Sequence, residues 1–214
     1  MISYKYSFIF IHIYKIAGSS IRKALRKYAY PNRFKLILNL LTKSVLKRLG
    51  KNIILPYYPE MMLPAHISAK ELQNHIPEDI FKEFYKFAFV RNPWDWQVSF
   101  YFYMKQNPNH FQYDIVKTMT FEEYINWRVE SDLKLQKDSV VDDNGDLLVD
   151  FIGRYENLNA DFQAICDRLG IRASLPYRNK STHRDYREYY TEETKRIVEV
   201  NFKEDIDFFG YTFD

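Results

Sequence analysis

The sequence predicts an α/β fold with a mainly parallel sheet flanked by helices, and two observations carry that reading. Two short β-branched and aromatic runs, Ser7 to Ile13 and Lys86 to Val90, are almost continuously apolar, as strands buried on both faces are. Segments of helical periodicity lie between and after them, and strands joined by helical crossovers pair in parallel. At 214 residues the chain suits a single domain spanning 1–214, and 17 Phe, 18 Tyr and 3 Trp supply ample surface for one core.

The elements follow in order. After the first strand, Tyr14 to Ser20 ends in small and polar residues. Ile21, Ala24, Leu25 and Tyr28 then recur at helical spacing, with Arg22, Lys23, Arg26 and Lys27 on the other face. Residues 34–49 read as a basic amphipathic helix, followed by a Pro- and Tyr-rich loop and a short helix from Ser68. The second strand stops at Arg91-Asn92-Pro93. Asn92 as N-cap, Pro93 at the first helical position and Asp95 in the first turn predict a helix to about Lys105. Thr120 with Glu123 is a capping-box pattern. Asp142 to Asp146, between Val140-Val141 and Leu147 to Ile152, signals a hairpin. A helix over 159–169 ends at Gly170, and Thr191 caps a last helix to about Phe202.

Composition excludes several classes. Six Gly and eight Pro rule out collagen-like or low-complexity chains, and a lone Cys166 rules out a disulfide framework or multi-cysteine zinc site. The apolar run from Phe8 to Ile13 falls far short of the ~20 residues of a membrane span and lacks a signal-peptide cleavage pattern. A cytoplasmic location is the expectation. Charge is uneven: residues 1–59 hold twelve Lys or Arg and no acidic residue, while the remainder has 19 basic and 28 acidic. The N-terminal part therefore faces an anion. Phosphates, a charged polymer, nucleic acid and a lipid surface all fit that charge, so peripheral membrane contact through the basic helix stays open.

Two segments carry chemistry. A loop between strand and helix gathers unpaired backbone N–H groups at the positive helix end, where Ala17, Gly18, Ser19 and Ser20 are small and Lys15 adds a charge. It is not a Walker A sequence, because Lys15 precedes the only Gly; an ordinary turn with a surface lysine stays open. Arg91, at the end of the other strand, suits bidentate phosphate binding, with Ser99 eight residues on; pairing with a carboxylate is the competing reading. Leu147 to Asp150 mimics a Walker B run, but a strand continuing through Ile152 leaves Asp150 away from a strand end. Arg154 and Glu156 read as structural. The aromatic cluster from Trp94 to Tyr103 reads mostly as core, with Trp94 or Trp96 open to an adenine or acceptor contact.

In combination, His12-Ile-Tyr-Lys15-Ile-Ala-Gly-Ser-Ser20 resembles the 5′-phosphosulfate loop of the sulfotransferases that act on carbohydrates. Phe89-Val-Arg-Asn-Pro-Trp-Asp-Trp-Gln-Val-Ser-Phe-Tyr101 resembles their 3′-phosphate motif. The segments Val149 to Leu158, Asp161 to Ile171, Tyr186 to Thr191 and Asp205 to Phe213 are similar to that family too, in the same order. Tyr14 departs from a usual Pro, and Trp96 from a usual Arg.

The resemblance implies a P-loop-like three-layer sandwich and transfer of a sulfuryl group from 3′-phosphoadenosine-5′-phosphosulfate (PAPS), without a metal, to an acceptor hydroxyl, most readily of a glycan or glycolipid. It implies cofactor contacts at Lys15, Ala17, Gly18, Ser19, Ser20, Arg91 and Ser99, with Lys180 and Ser181 from a closing segment. Lys15 would also act in catalysis, and His66 would be the general base. His12 reads as packed or capping, and His75, His110 and His183 as weaker candidates for the base. Two other readings stay open: a P-loop kinase, which normally needs Mg²⁺ held by a strand-end Asp, and a non-catalytic binder of an anionic polymer. No nucleic-acid partner is expected.

Overall fold

The computed structural model describes residues 1–29, 63–176 and 184–214. The basic segment 34–49, Lys180, Ser181 and His183 lie outside them. Four strands form one sheet in the order β1 (Ile2–Ser3), β2 (Phe8–Ile11), β3 (Tyr85–Val90) and β4 (Phe151–Arg154). β2 and β3 pair in parallel from Phe8↔Tyr85 to Ile11↔Ala88, and β3 and β4 in parallel from Phe87↔Phe151 to Val90↔Arg154. β1 is antiparallel to β2 and has no sequence signal, because two residues are too few for a period. The first strand is shorter than the apolar run: Ile13 is buried but lies in the loop that follows.

Helices flank this sheet. α1 (Gly18–Ala29) follows β2; α2 (Ala69–Gln73) and α3 (Glu78–Glu83) lead into β3. α4 (Pro93–Gln106), α5 (Tyr113–Val116) and α6 (Phe121–Ser131) follow β3. After β4 come α7 (Leu158–Arg168), α8 (Glu192–Asn201) and α9 (Lys203–Phe209). The caps sit where the sequence puts them. Asn92 accepts from the Trp94 N–H at 3.0 Å, and the Thr120–Glu123 box is formed in both directions. Gly170 takes a left-handed φ of 62°. The last helix is broken at Phe202, which is buried, and the chain resumes as α9.

The hairpin contracts to a single bridge, Val141↔Leu147, and β4 begins four residues later than expected. Asp150 is consequently not mid-strand. It lies just before β4, where its carboxylate takes the Lys86 backbone N–H and lies 3.0 Å from the Lys86 ammonium. That is the opposite end of the sheet from Arg91. The core is aromatic: Phe8 and Phe10 of β2 pack against Phe87 of β3 with ring centroids 5.8 and 5.3 Å apart. Rigid central strands then present their last residues side by side, which is where an open α/β sheet binds ligands.

Candidate active site

The loop 12–17 leaves β2 and enters α1 beside the end of β3. Lys15 (φ 63°) and Ala17 (φ 51°) are both left-handed, a conformation costing ~1–2 kcal/mol for a side chain with a Cβ. The Ala17 carbonyl accepts from Ser20 and Ile21, so the helix starts there and its first N–H groups face the loop. Ser19 is exposed and Ser20 buried. Gly18 has a further reason to be glycine besides the close phosphate approach expected. A Cβ there would lie 1.7 Å from His12 Nε2, so the His12 ring fills the space a side chain would take. Gly18→Ala must displace that ring, and we expect a loss of ~1–3 kcal/mol of stability. Calorimetry would show it as a Tm lower by several degrees; an unchanged Tm would mean that His12 moves freely.

The departures at 14 and 96 meet. The Trp96 indole N–H donates to the Tyr14 carbonyl at 2.8 Å, and Trp96 is 2% exposed. Trp94 donates to the Lys195 carbonyl at 3.1 Å and is equally buried. Both indole N–H groups bind backbone carbonyls and both rings are core, as most of this aromatic cluster is read to be. The Tyr14 ring lies 5.2 Å from Phe100 and edge-on to His66 at 4.7 Å. Burial and the neighbouring Tyr103 hydroxyl push the Tyr14 phenol up.

Lys15 places its ammonium 3.8 Å from the Tyr103 ring centroid. Burial first, and the Arg91 charge second, lower its pKa to about 8. The loop cation and the β3 cation are thus near enough to repel. Arg91 is 3% exposed, and its Nε and Nη2 hold the two Asp95 oxygens at 2.7 and 2.8 Å. Its guanidinium lies 4.0 Å from the Tyr155 ring centroid. The carboxylate pairing weighed from sequence is therefore present, with two of five guanidinium donors engaged. Ser99 lies on the same face of α4 as Asp95, four residues on, and is buried.

Residues distant in the chain hold Arg91 and its neighbour Asn92. Gln136 accepts from the Arg91 backbone N–H (2.9 Å) and donates to its carbonyl (2.8 Å). Asp205, fully buried on α9, accepts from the Gln136 and Lys137 N–H groups, and burial raises its pKa to about 6. Glu156 accepts from the Asn92 N–H at 2.7 Å and from the Tyr211 hydroxyl at 3.1 Å. Arg154 donates to the Phe209 carbonyl. Both are structural, as read from sequence.

His66 reaches the loop from the segment before α2. Its Nδ1 is 3.0 Å from the His12 carbonyl. A carbonyl only accepts, so Nδ1 carries the proton and the neutral ring keeps its lone pair on Nε2. Partial burial lowers the His66 pKa; the His12 carbonyl opposes this and Arg22 adds to it. The His12 ring is 4.2 Å away and its pKa falls to about 3, through burial, then the His66 and Arg22 charges. It is a packed residue. His75 turns to the Glu71 carbonyl of its own helix. His110, a weaker candidate from sequence, packs edge-on against Tyr103 at 5.5 Å and stacks on Phe111 at 4.7 Å; burial lowers its pKa, Asp132 opposes this and the Lys15 charge adds to the lowering.

A sulfotransferase family model matches residues 1–212. An uncharacterized protein of Archaeoglobus fulgidus is 30% identical over 119 residues, covering 54% of this chain and 93% of its own. Among solved structures, mouse sulfotransferase SULT7A1 complexed with PAP superposes with a TM-score of 0.56 at 15% identity, covering 96% of this chain and 86% of that one.

Proposed function

This chain belongs to the sulfotransferase family, and on that premise we propose that it transfers a sulfuryl group from PAPS to a carbohydrate hydroxyl. The observation that carries the reading is the approach of Lys15 and Arg91 from adjacent strand ends, close enough that one cation depresses the other. An anion between them relieves that repulsion. The donor's two phosphate ends call for two such cations, and the mouse relative is complexed with PAP, the bisphosphate left after transfer. The donor supplies the activated sulfuryl group. The chain's own residues do the rest: His66 Nε2 takes the proton of the acceptor hydroxyl as its oxygen bonds to sulfur, and Lys15 holds the phosphate oxygen released from sulfur. Ala17, Gly18, Ser19 and Ser20 contribute the loop and first-turn donors around the 5′ end. Arg91 and Ser99 take the 3′ phosphate, and Lys180 and Ser181 are proposed to cover it.

An acceptor with an apolar ring face suits the rings beside Lys15. Tyr14, Tyr103 and His110 lead outward to Phe111, which is 81% exposed. A sugar offers such a face between its hydroxyls. The kinase alternative loses its Mg²⁺ candidate, since Asp150 is at the far end of the sheet. Among the described residues no helix is long and apolar enough to cross a membrane.

Adenosine 3′,5′-bisphosphate should bind at least ~30-fold more tightly than AMP, because a phosphate partnered by a charged group is worth ~2–5 kcal/mol. Arg91→Ala should erase most of that preference and leave AMP nearly unaffected, and a chelator should change neither. Equal affinities for the two nucleotides by calorimetry would remove the two-site reading; a Mg²⁺ requirement would favour the kinase.

A further inference from the structure

Resting on the reading of Lys15 above, we propose that Trp96 is a positioning residue for Lys15, fixing through its indole N–H the peptide from which that lysine projects. The Tyr14 carbonyl, which accepts this bond at 2.8 Å, belongs to the same planar unit as the Lys15 N–H. Turning that plane changes ψ of Tyr14 and φ of Lys15 together. Lys15 stands at φ 63°, a conformation a lysine leaves unless its surroundings hold it.

The donor is well placed to do the holding. The Trp96 ring is edge-on to Phe100 at 5.1 Å and to Phe202 at 6.4 Å, and its backbone N–H is bound to the Asn92 carbonyl at the head of α4. Its position is therefore set by the core and not by the loop. At the other end of Lys15 the ammonium rests on Tyr103, whose ring also meets Tyr14 at 5.9 Å. If the peptide relaxed to negative φ, the side chain would leave Tyr103 and swing away from Arg91. The same α4 helix thus carries Trp96, Asp95 and Tyr103, and so sets both the loop lysine and the Arg91 guanidinium. One rigid element fixes the distance between the two cations.

Trp96→Phe keeps an aromatic ring in the core and deletes the indole donor together with part of the ring volume. At pH 7 the variant should bind adenosine 3′,5′-bisphosphate about 10-fold more weakly than wild type, the loss of one charge contact. The pH dependence separates positioning from simple damage. Wild-type affinity should decline as pH rises past about 8, where the Lys15 of the empty protein loses its proton under the influence of burial and Arg91, with Tyr103 and His110 as the other groups beside it. In the variant the released lysine regains an ordinary pKa of ~10.4, so the decline should move above pH 9. A weaker variant whose decline stays near pH 8, or a variant of wild-type affinity, overturns the proposal.

If Trp96→Phe does not fold, the wild-type protein decides. Its Trp96 indole proton, identified by elimination with Trp94→Phe and Trp127→Phe, should shift with a midpoint near pH 8 as Lys15 titrates. A flat signal between pH 7 and 9 overturns the proposal. That titration needs no nucleotide, so it still answers if wild type fails to bind the bisphosphate, a result that would instead sink the sulfotransferase reading.

Discussion

Lys15→Ala is expected to lower turnover by ~10²–10³-fold, the size seen when a donor aimed at developing charge is removed. The affinity for adenosine 3′,5′-bisphosphate should fall far less, by about 10-fold. The asymmetry follows from where charge builds. As the bond between sulfur and the 5′-phosphate oxygen breaks, negative charge collects on that oxygen, and a cation beside it stabilises the transition state more than the bound donor. Lys15 is suited to this because it is preorganised: its backbone is held left-handed and its ammonium rests 3.8 Å from the Tyr103 ring centroid. The pH profile offers a second check. In the proposed mechanism the protonated lysine is the working form, and burial with Arg91 lowers its pKa to about 8 in the empty protein. So kcat/KM, which reports the free enzyme, should fall as pH rises through about 8, and Lys15→Ala should lose that limb with the activity. Equal losses in turnover and in product affinity would show instead that Lys15 binds both states alike.

His66→Ala should cut kcat by ~10²-fold or more and leave nucleotide affinity near wild type. The structure supplies a reason that sequence could not. Donation from Nδ1 to the His12 carbonyl fixes the tautomer, so the lone pair is on the other nitrogen, Nε2. In the proposed mechanism the working form is the neutral ring, and partial burial lowers its pKa, with Arg22 adding to this and the His12 carbonyl opposing it. Activity should therefore hold down to a pH below the ordinary ~6.5 and then fall as the ring takes a proton. With the Lys15 limb this makes a bell whose neutral centre has His66 free and Lys15 charged. A variant with near-normal turnover and an intact acid limb would make His66 a bystander and turn attention to His183, and to His110, which lies by Tyr103 near Lys15.

Local chemistry was legible in the chain wherever it depended on neighbours in sequence. Asn92-Pro93 opens α4, Thr120 and Glu123 close a capping box, Gly170 ends α7 and Asp142 to Asp146 turn the chain. Each is a contact within five residues, so residue type and spacing suffice. The parallel pairing of the two apolar runs was legible as well, because a strand buried on both faces cannot alternate with polar residues. Other features were less so: β4 starts late because the Asp150 carboxylate caps Lys86 across the sheet, and α9, which has no side-chain cap, follows a helix that ends at Phe202 as its pattern says.

Residue order alone puts Lys15 and Arg91 just past two buried strands, and those strands do pair in parallel. The state of those residues depends on partners that folding brings to them. Arg91 is shared with Asp95 and framed by Gln136, Asp205 and Glu156, which come from up to 114 positions away in the chain. Gly18 answers to the His12 ring, and Tyr14 to Trp96, 82 residues on. The His66 tautomer depends on a carbonyl 54 residues earlier. Burial, repulsion between cations and the direction of a shared proton are properties of distance in space, and distance in space is what a string of residue types does not carry.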